Sequence, residues 1–161
     1  MKTQSAALLA ALLLTAVTAQ AFDLKGVELG QRATPAKLKA AFGDGHTQIE
    51  GAWVDASVHK GQDGAVDSIT VRFDSGYYAQ LRKAALAKFG TPSRTDIVPM
   101  RSGVGIQFNA EYLQWNDAAG ARVWIVQYLG SASHGHLELQ SARDLAAEQA
   151  RNAAAKAQSK M

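Results

Sequence analysis

The 161-residue chain contains no cysteine. That excludes disulfide staples, a cysteine nucleophile and a lipid attached to a first-residue cysteine, so stability has to come from packing and hydrogen bonds. Long apolar runs are missing too. The longest, Ala6 to Val17, falls short of the roughly 20 residues that a membrane-spanning helix needs. It follows Lys2 and precedes Ala19-Gln20-Ala21, small residues placed as signal peptidase requires. Residues 1 to 21 therefore read as a cleaved secretory signal, with the mature chain starting at Phe22 and located in the periplasm or outside the cell.

A net charge of one sign is absent from the body of the protein. The formal excess of +3 includes Lys2; Phe22 to Gln140 carries twelve Lys or Arg and twelve Asp or Glu. The remaining surplus lies beyond Ser141, where Arg143, Arg151, Lys156 and Lys160 face Asp144 and Glu148. Nucleic-acid binding needs a concentrated basic face, and the body offers none. Catalytic motifs are lacking as well. No serine occupies a Gly-x-Ser-x-Gly elbow, and Ser102-Gly103-Val104-Gly105 lacks the Gly-Lys-Ser/Thr of a phosphate loop. No cofactor is expected.

What remains is 140 residues, read as a single domain over 22–140 with clear local signals and a tail over 141–161. Thr34 can cap a helix whose first position suits Pro35 and whose left-handed end suits Gly43, with Leu38, Ala41 and Phe42 on its buried face. From Ala52 the period becomes two. Ala52, Val54, Ala56 and Val58 alternate with polar residues, and Ile69, Val71 and Phe73 do the same beyond Gly61-Gln62-Asp63-Gly64, which predicts a β-hairpin. A second helix runs from Gly76 to Phe89, capped by Asp74-Ser75 and ended by Gly90 and Pro92. A short extended piece surrounds Ile97. Val104 to Phe108 with Tyr112 to Trp115, then Arg122 to Leu129, then His136 to Leu139 predict a three-stranded antiparallel meander.

One-sided alternation throughout implies an α+β fold: an antiparallel sheet of about five to six strands covered on one face by two helices. The paired endings Phe42-Gly43 and Phe89-Gly90 suggest a degenerate helix-strand-strand repeat. Residues 141 to 161 are Ala-rich, open with Ser141-Ala142-Arg143-Asp144 like a capping box, and carry Leu145 as their only large aliphatic residue before Met161. They are expected to form a helical or mobile tail, dispensable for folding.

Gly26-Val27-Glu28-Leu29-Gly30 followed by Leu38 to Gly43 resembles the opening of small exported bacterial proteins. Phe89-Gly90-Thr91-Pro92 with Trp115, Gly120 and Val123 is similar to the small outer-membrane assembly lipoprotein and the β-lactamase-inhibitor-protein group. The resemblance implies an antiparallel sheet under a helical pair, and action by protein contact. The chain departs from these groups in lacking the lipoprotein cysteine and the inhibitors' cysteine pair.

Two constellations stand out as candidate sites. His134 and His136, two apart on a strand, point to one face and could share a metal ion, with Glu138 next on that face; His46 and His59 are the remaining histidines. The aromatic residues form the other. Trp53 lies opposite the Ala52, Val54, Val58 row, and Trp124 and Tyr128 share a phase with Arg122 and Val126, while Val123, Ile125 and Leu129 form the aliphatic phase expected to meet the helices. Trp115 and Tyr112 also fall in strands. Either these rings stand on an open sheet face, where Tyr, Trp and Arg anchor interfaces, or the tail covers them. The carboxylates Asp55, Asp67, Asp74 and Glu111 lie on or beside strands without a spacing that pairs them. The expectation is an exported envelope protein that binds another protein through Trp124, Tyr128, Arg122 and Trp53. A metal protein or hydrolase using His134 and His136, and an inhibitor of a secreted enzyme, are the alternatives.

Overall fold

The computed structural model describes residues 22–101 and 105–159; residues 1–21, expected from the sequence to be a signal, and the stretch from Ser102 to Val104 lie outside them. Two-residue strands β1 (Asp23–Leu24) and β2 (Val27–Glu28) form a small hairpin. Its turn places Lys25 and Gly26 at φ of 51° and 76°, the positive pair that a two-residue hairpin turn requires. Helix α1 (Pro35–Phe42) then starts as its sequence dictates. The Thr34 hydroxyl accepts the Lys37 N–H at 3.2 Å, and Gly43 closes the helix at a φ of 60°.

Strands β3 (His46–Ile49), β4 (Ala52–Lys60) and β5 (Val66–Asp74) form a meander. The Asp74 carboxylate accepts the Gly76 N–H at 2.8 Å, starting a short 3-10 turn (Ser75–Tyr77) that leads into helix α2 (Tyr78–Phe89). A second meander follows: β6 (Arg94–Arg101), β7 (Gln107–Asn116), β8 (Arg122–Val126) and β9 (His134–Gln140). Helix α3 (Ala142–Gln158) ends the described chain.

The two meanders join edge to edge through β5 and β9, giving a seven-stranded antiparallel sheet in the order β3-β4-β5-β9-β8-β7-β6. In each half a helix precedes a meander, which is the outline that the two Phe-Gly endings suggested. The sheet has one strand more than the upper expectation because its two edges carry no alternation. In β3 only Ile49 is buried, and β6, with Pro99 and no buried residue, is an edge strand held by its pairing to β7. Proline is tolerated there because an edge strand can spare an N–H.

Strand register decides the faces. Val54 pairs with Phe73, Val71 with Leu137, Ile125 with Leu137 and Trp115 with Val123, so these side chains share one side of the sheet. There they meet Phe42 of α1 and Leu81 and Ala85 of α2 in one buried cluster. Burying each large aliphatic residue contributes roughly 1.5–3 kcal/mol. Trp115 belongs to this core, and its indole N–H donates to the Gly90 carbonyl at 2.9 Å, satisfying the end of α2. Leu129, expected here, is instead 49% exposed, because β8 stops at Val126.

Glu111 on the same side of β7 ties down α2. It accepts the Tyr78 hydroxyl at 2.7 Å and both a 2.6 Å and a 3.0 Å hydrogen bond from Arg82. The Arg82 guanidinium, helped by the Tyr78 hydroxyl, holds the Glu111 carboxyl below its usual range; burial, then the Glu111 hydrogen bond, pushes the Tyr78 phenol up. A carboxyl depressed in the folded state stabilises fully above its unfolded pKa, about 4.3, and loses that contribution as pH falls through the lower folded value. The melting temperature of the native protein should therefore exceed that of Glu111→Gln at neutral pH and converge with it below about pH 4. A gap that stays constant across thermal melts from pH 7 to 3 would refute the assignment.

Candidate functional site

Helices α1 and α2 leave the other face of the sheet uncovered. Cross-strand pairing arranges its side chains in rows. Asp55, Arg72, His136, Val126, Tyr112 and Asp96 form one, and Ser57, Thr70, Glu138, Trp124, Gln114 and Arg94 form the next. Trp124 thus has Tyr112 and His136 as diagonal neighbours on β7 and β9, within reach of large rings. Its indole stacks on both, with centroids 5.7 Å from Tyr112 and 4.7 Å from His136 and interplanar angles of 27° and 25°. Val126, between those two residues in register, is buried.

Tyr128, just past the end of β8, meets Phe108 edge to face at 4.9 Å, and Val98 and Met100 stand opposite Ala110 and Phe108 in register. The uncovered face is thereby divided. Tyr112, Trp124, Phe108 and Tyr128 gather on the β6-β7-β8 side beside Arg94, Asp96, Gln114 and Arg122, and Trp53, Asp55, Arg72, Asp74, Glu138 and the histidines occupy the β3-β4-β5-β9 side.

The Trp124 indole N–H is enclosed yet has no hydrogen-bond partner among the described residues. An unmet buried donor costs about 1–3 kcal/mol, and such groups are rare in cores shaped by folding stability alone. Arg122, in the same phase, donates through Nε to the Gln140 side-chain oxygen at 3.1 Å and reaches Glu148 of α3 at 3.5 Å.

That contact, together with the Gln140 amide donating to Asp144 at 3.2 Å and to Glu148 at 3.0 Å, is one of two anchors of α3. In the other, the carboxylate of Asp67, 8% exposed, accepts from Ser141 at 3.3 Å and from Arg143 Nε at 2.8 Å, while Arg143 also pairs with Asp63 at 2.7 Å. The Arg143 bond, with the Ala65 N–H, pulls the Asp63 carboxyl down to about 2. Gly61 makes room, since a Cβ there would collide with the guanidinium and stand 2.7 Å from Asp67 Oδ2. The tail is therefore a helix docked by polar groups through its first two turns. From Gln149 to Ser159 every residue is exposed, and no residue of α3 is buried.

Arg122 and Trp124 share the uncovered phase of β8, as its alternation predicts, and Tyr128 follows just past the end of the strand. Trp53 does not join them. It stands on the same face three strands away, 49% exposed, with its ring parallel to His46 at 5.0 Å. His134 and His136 share the uncovered side but have different partners. The His134 Nδ1 lies 2.9 Å from the Ser133 hydroxyl and 3.1 Å from that of Ser131, whereas His136 Nε2 lies 3.4 Å from Glu138. Among the described residues no three His, Asp or Glu side chains converge as metal ligands.

The four carboxylates noted in the sequence have separate structural partners. Asp55 pairs with His46 at 2.9 Å, Asp74 caps the 3-10 turn, Asp67 holds α3 and Glu111 holds α2. The sequence places Phe108 in a strand but not among the site candidates, and gives His136 no site role other than metal binding. A β7 phase of Phe108, Ala110 and Tyr112 was the available signal, but nothing local says which strand lies beside it.

Among the described residues no helix is long and apolar enough to cross a membrane. Comparison of the chain with protein-family models, curated proteins and solved structures finds no match.

Proposed function

We propose that the protein is an exported, non-catalytic binding module of the cell envelope that engages another protein through the aromatic side of its uncovered sheet face. The carrying observation is the Trp124 cluster. Stacked Tyr112, Trp124 and His136, with Phe108 and Tyr128 beyond, form an aromatic centre bordered by Arg94, Arg122 and Glu138. An apolar, aromatic centre within a polar rim is the composition of a protein interface, and Trp, Tyr and Arg supply most of its energy. Export rests on the Lys2, Ala6–Val17 and Ala19-Gln20-Ala21 pattern. The likeness to exported proteins that act by contact points the same way.

Two substitutions test the reading. Trp124→Phe keeps a stacked ring and removes the unmet donor, so its melting temperature should equal or exceed that of the native protein. Trp124→Ala should weaken capture of an envelope partner by more than about 2 kcal/mol, the hot-spot threshold, in pull-downs with protein whose intact mass begins at Phe22. Undiminished capture by Trp124→Ala would refute the chosen face, and a periplasmic mass that includes residues before Phe22 would refute the signal assignment.

A further inference from the structure

Hydrogen bonding at the ends of β7 fixes which backbone groups of the edge strand β6 point away from the sheet. The Ser93 N–H donates to the Gln114 carbonyl at 2.8 Å and the Gln127 N–H to the Glu111 carbonyl at 3.1 Å, so along β7 Gln114 points to β6 and Glu111 to β8. Alternation turns Tyr112 and Ala110 to β6 as well, and their register partners Asp96 and Val98 back to β7. Thr95, Ile97 and Pro99 therefore point outward. Pro99, with no N–H to give, fits only there. Among the described residues no hydrogen bond reaches the outward N–H of Thr95 or Ile97, or the carbonyls of Thr95, Ile97 and Pro99.

The opposite edge of the sheet is guarded. Strand β3 has four residues, and Lys25 of the N-terminal hairpin donates to the Gln48 carbonyl at 3.2 Å and to the Thr47 hydroxyl at 2.9 Å. Strand β6 has eight residues and no such cover, and Ile97 and Val98 stand 60% and 40% exposed beside its bare backbone groups. An edge of that kind is a template for another extended chain.

The segment Thr95-Asp96-Ile97-Val98-Pro99 matches a second copy of itself. With Ile97 opposite Ile97 of the second copy, those two residues exchange both their hydrogen bonds, and each Thr95 N–H meets the other copy's Pro99 carbonyl, so no bond needs the donor that proline lacks. The side chains agree. Isoleucine faces isoleucine, and Asp96, held by Arg94 at 2.6 Å, faces Val98 and not a like charge. An axis through Asp96 would instead set two carboxylates directly opposite.

We propose that two copies of this chain associate through β6, antiparallel and with Ile97 on the two-fold axis, joining their sheets edge to edge. The contact is isologous and closes. Residues directly opposite in a sheet share a face, so the two Trp124 clusters come to lie on one continuous uncovered surface. The association goes beyond the binding function proposed above and stands or fails without it.

Sedimentation equilibrium of the purified protein between about 0.01 and 1 mM tests this, a range suited to the small area that one strand pair buries. The native protein should dimerise. Ile97→Pro removes the outward donor at a position that, like Pro99, owes β7 no N–H, so its circular dichroism should stay native while the dissociation constant rises at least about tenfold. Ile97→Lys and Ile97→Glu, at the same exposed position, should each be monomeric alone and form a one-to-one dimer when mixed, because the axis then sets opposite charges face to face. A native monomer, a dimer that survives Ile97→Pro or Ile97→Lys, or a mixture that stays monomeric would each overturn the proposal.

Discussion

Gly135→Ala should lower stability by about 3 kcal/mol, the upper end of the usual cost of overpacking a core. Gly135 lies directly opposite Phe73 at the β5-β9 junction, and the phenyl ring packs against its backbone. A methyl group there would fall well inside contact distance of the ring and 2.9 Å from the Gln127 carbonyl oxygen. The ring cannot yield freely, since Phe73 is among the most buried side chains of the molecule, and the carbonyl belongs to the backbone. Phe73→Ala alone should cost about 3–5 kcal/mol. Combined, the two changes should cost clearly less than their sum, because the new methyl enters space the ring has left. Urea unfolding of the two single variants and the double variant gives the coupling. Strict additivity would show that Gly135 is not required by Phe73.

Ending the chain after Gln140 should destabilise the domain by about 1–3 kcal/mol, the cost of a buried polar group left without its partner. Asp67 would lose its hydrogen bonds from both Ser141 and Arg143. This revises the expectation from the sequence that the tail is dispensable for folding, because that judgement weighed only large apolar side chains. Ending the chain after Glu148 instead keeps both anchors, so its melting temperature should match the native value. Equal melts for the two truncations would show that Arg143 contributes nothing. Arg143→Lys separates the guanidinium from simple charge, since a lysine cannot donate to Asp63 and Asp67 in the same planar fork.

The Trp124 cluster shows where sequence and structure divide. The period-two pattern of Arg122 to Val126 already placed Trp124 beside Arg122 and opposite Val123 and Ile125, and the structure agrees. It could not place Tyr112 and His136 against the indole, because they arrive from strands 12 residues away on either side and their meeting depends on register. The His134-Gly-His136 pair illustrates the converse. Shared phase was legible, but the direction of each imidazole is set by Ser131 and Ser133 in one case and by Glu138 and Trp124 in the other.

By itself the sequence determined what short-range physics controls. Thr34 with Pro35, Asp74 before α2 and Ser141 before α3 fix helix starts by satisfying free amides, and Gly43 and Gly90 fix helix ends by accepting positive φ. Alternation in β4, β5 and β8 chose the buried face, since one residue of slip would turn the whole apolar set toward water. Tertiary structure alone decided that β9 inserts beside β5, that β3 and β6 complete the edges, and that Asp67 and Arg122 hold α3. These contacts join residues far apart in the chain and rest on backbone pairing and charge, which leave no periodic mark in the sequence.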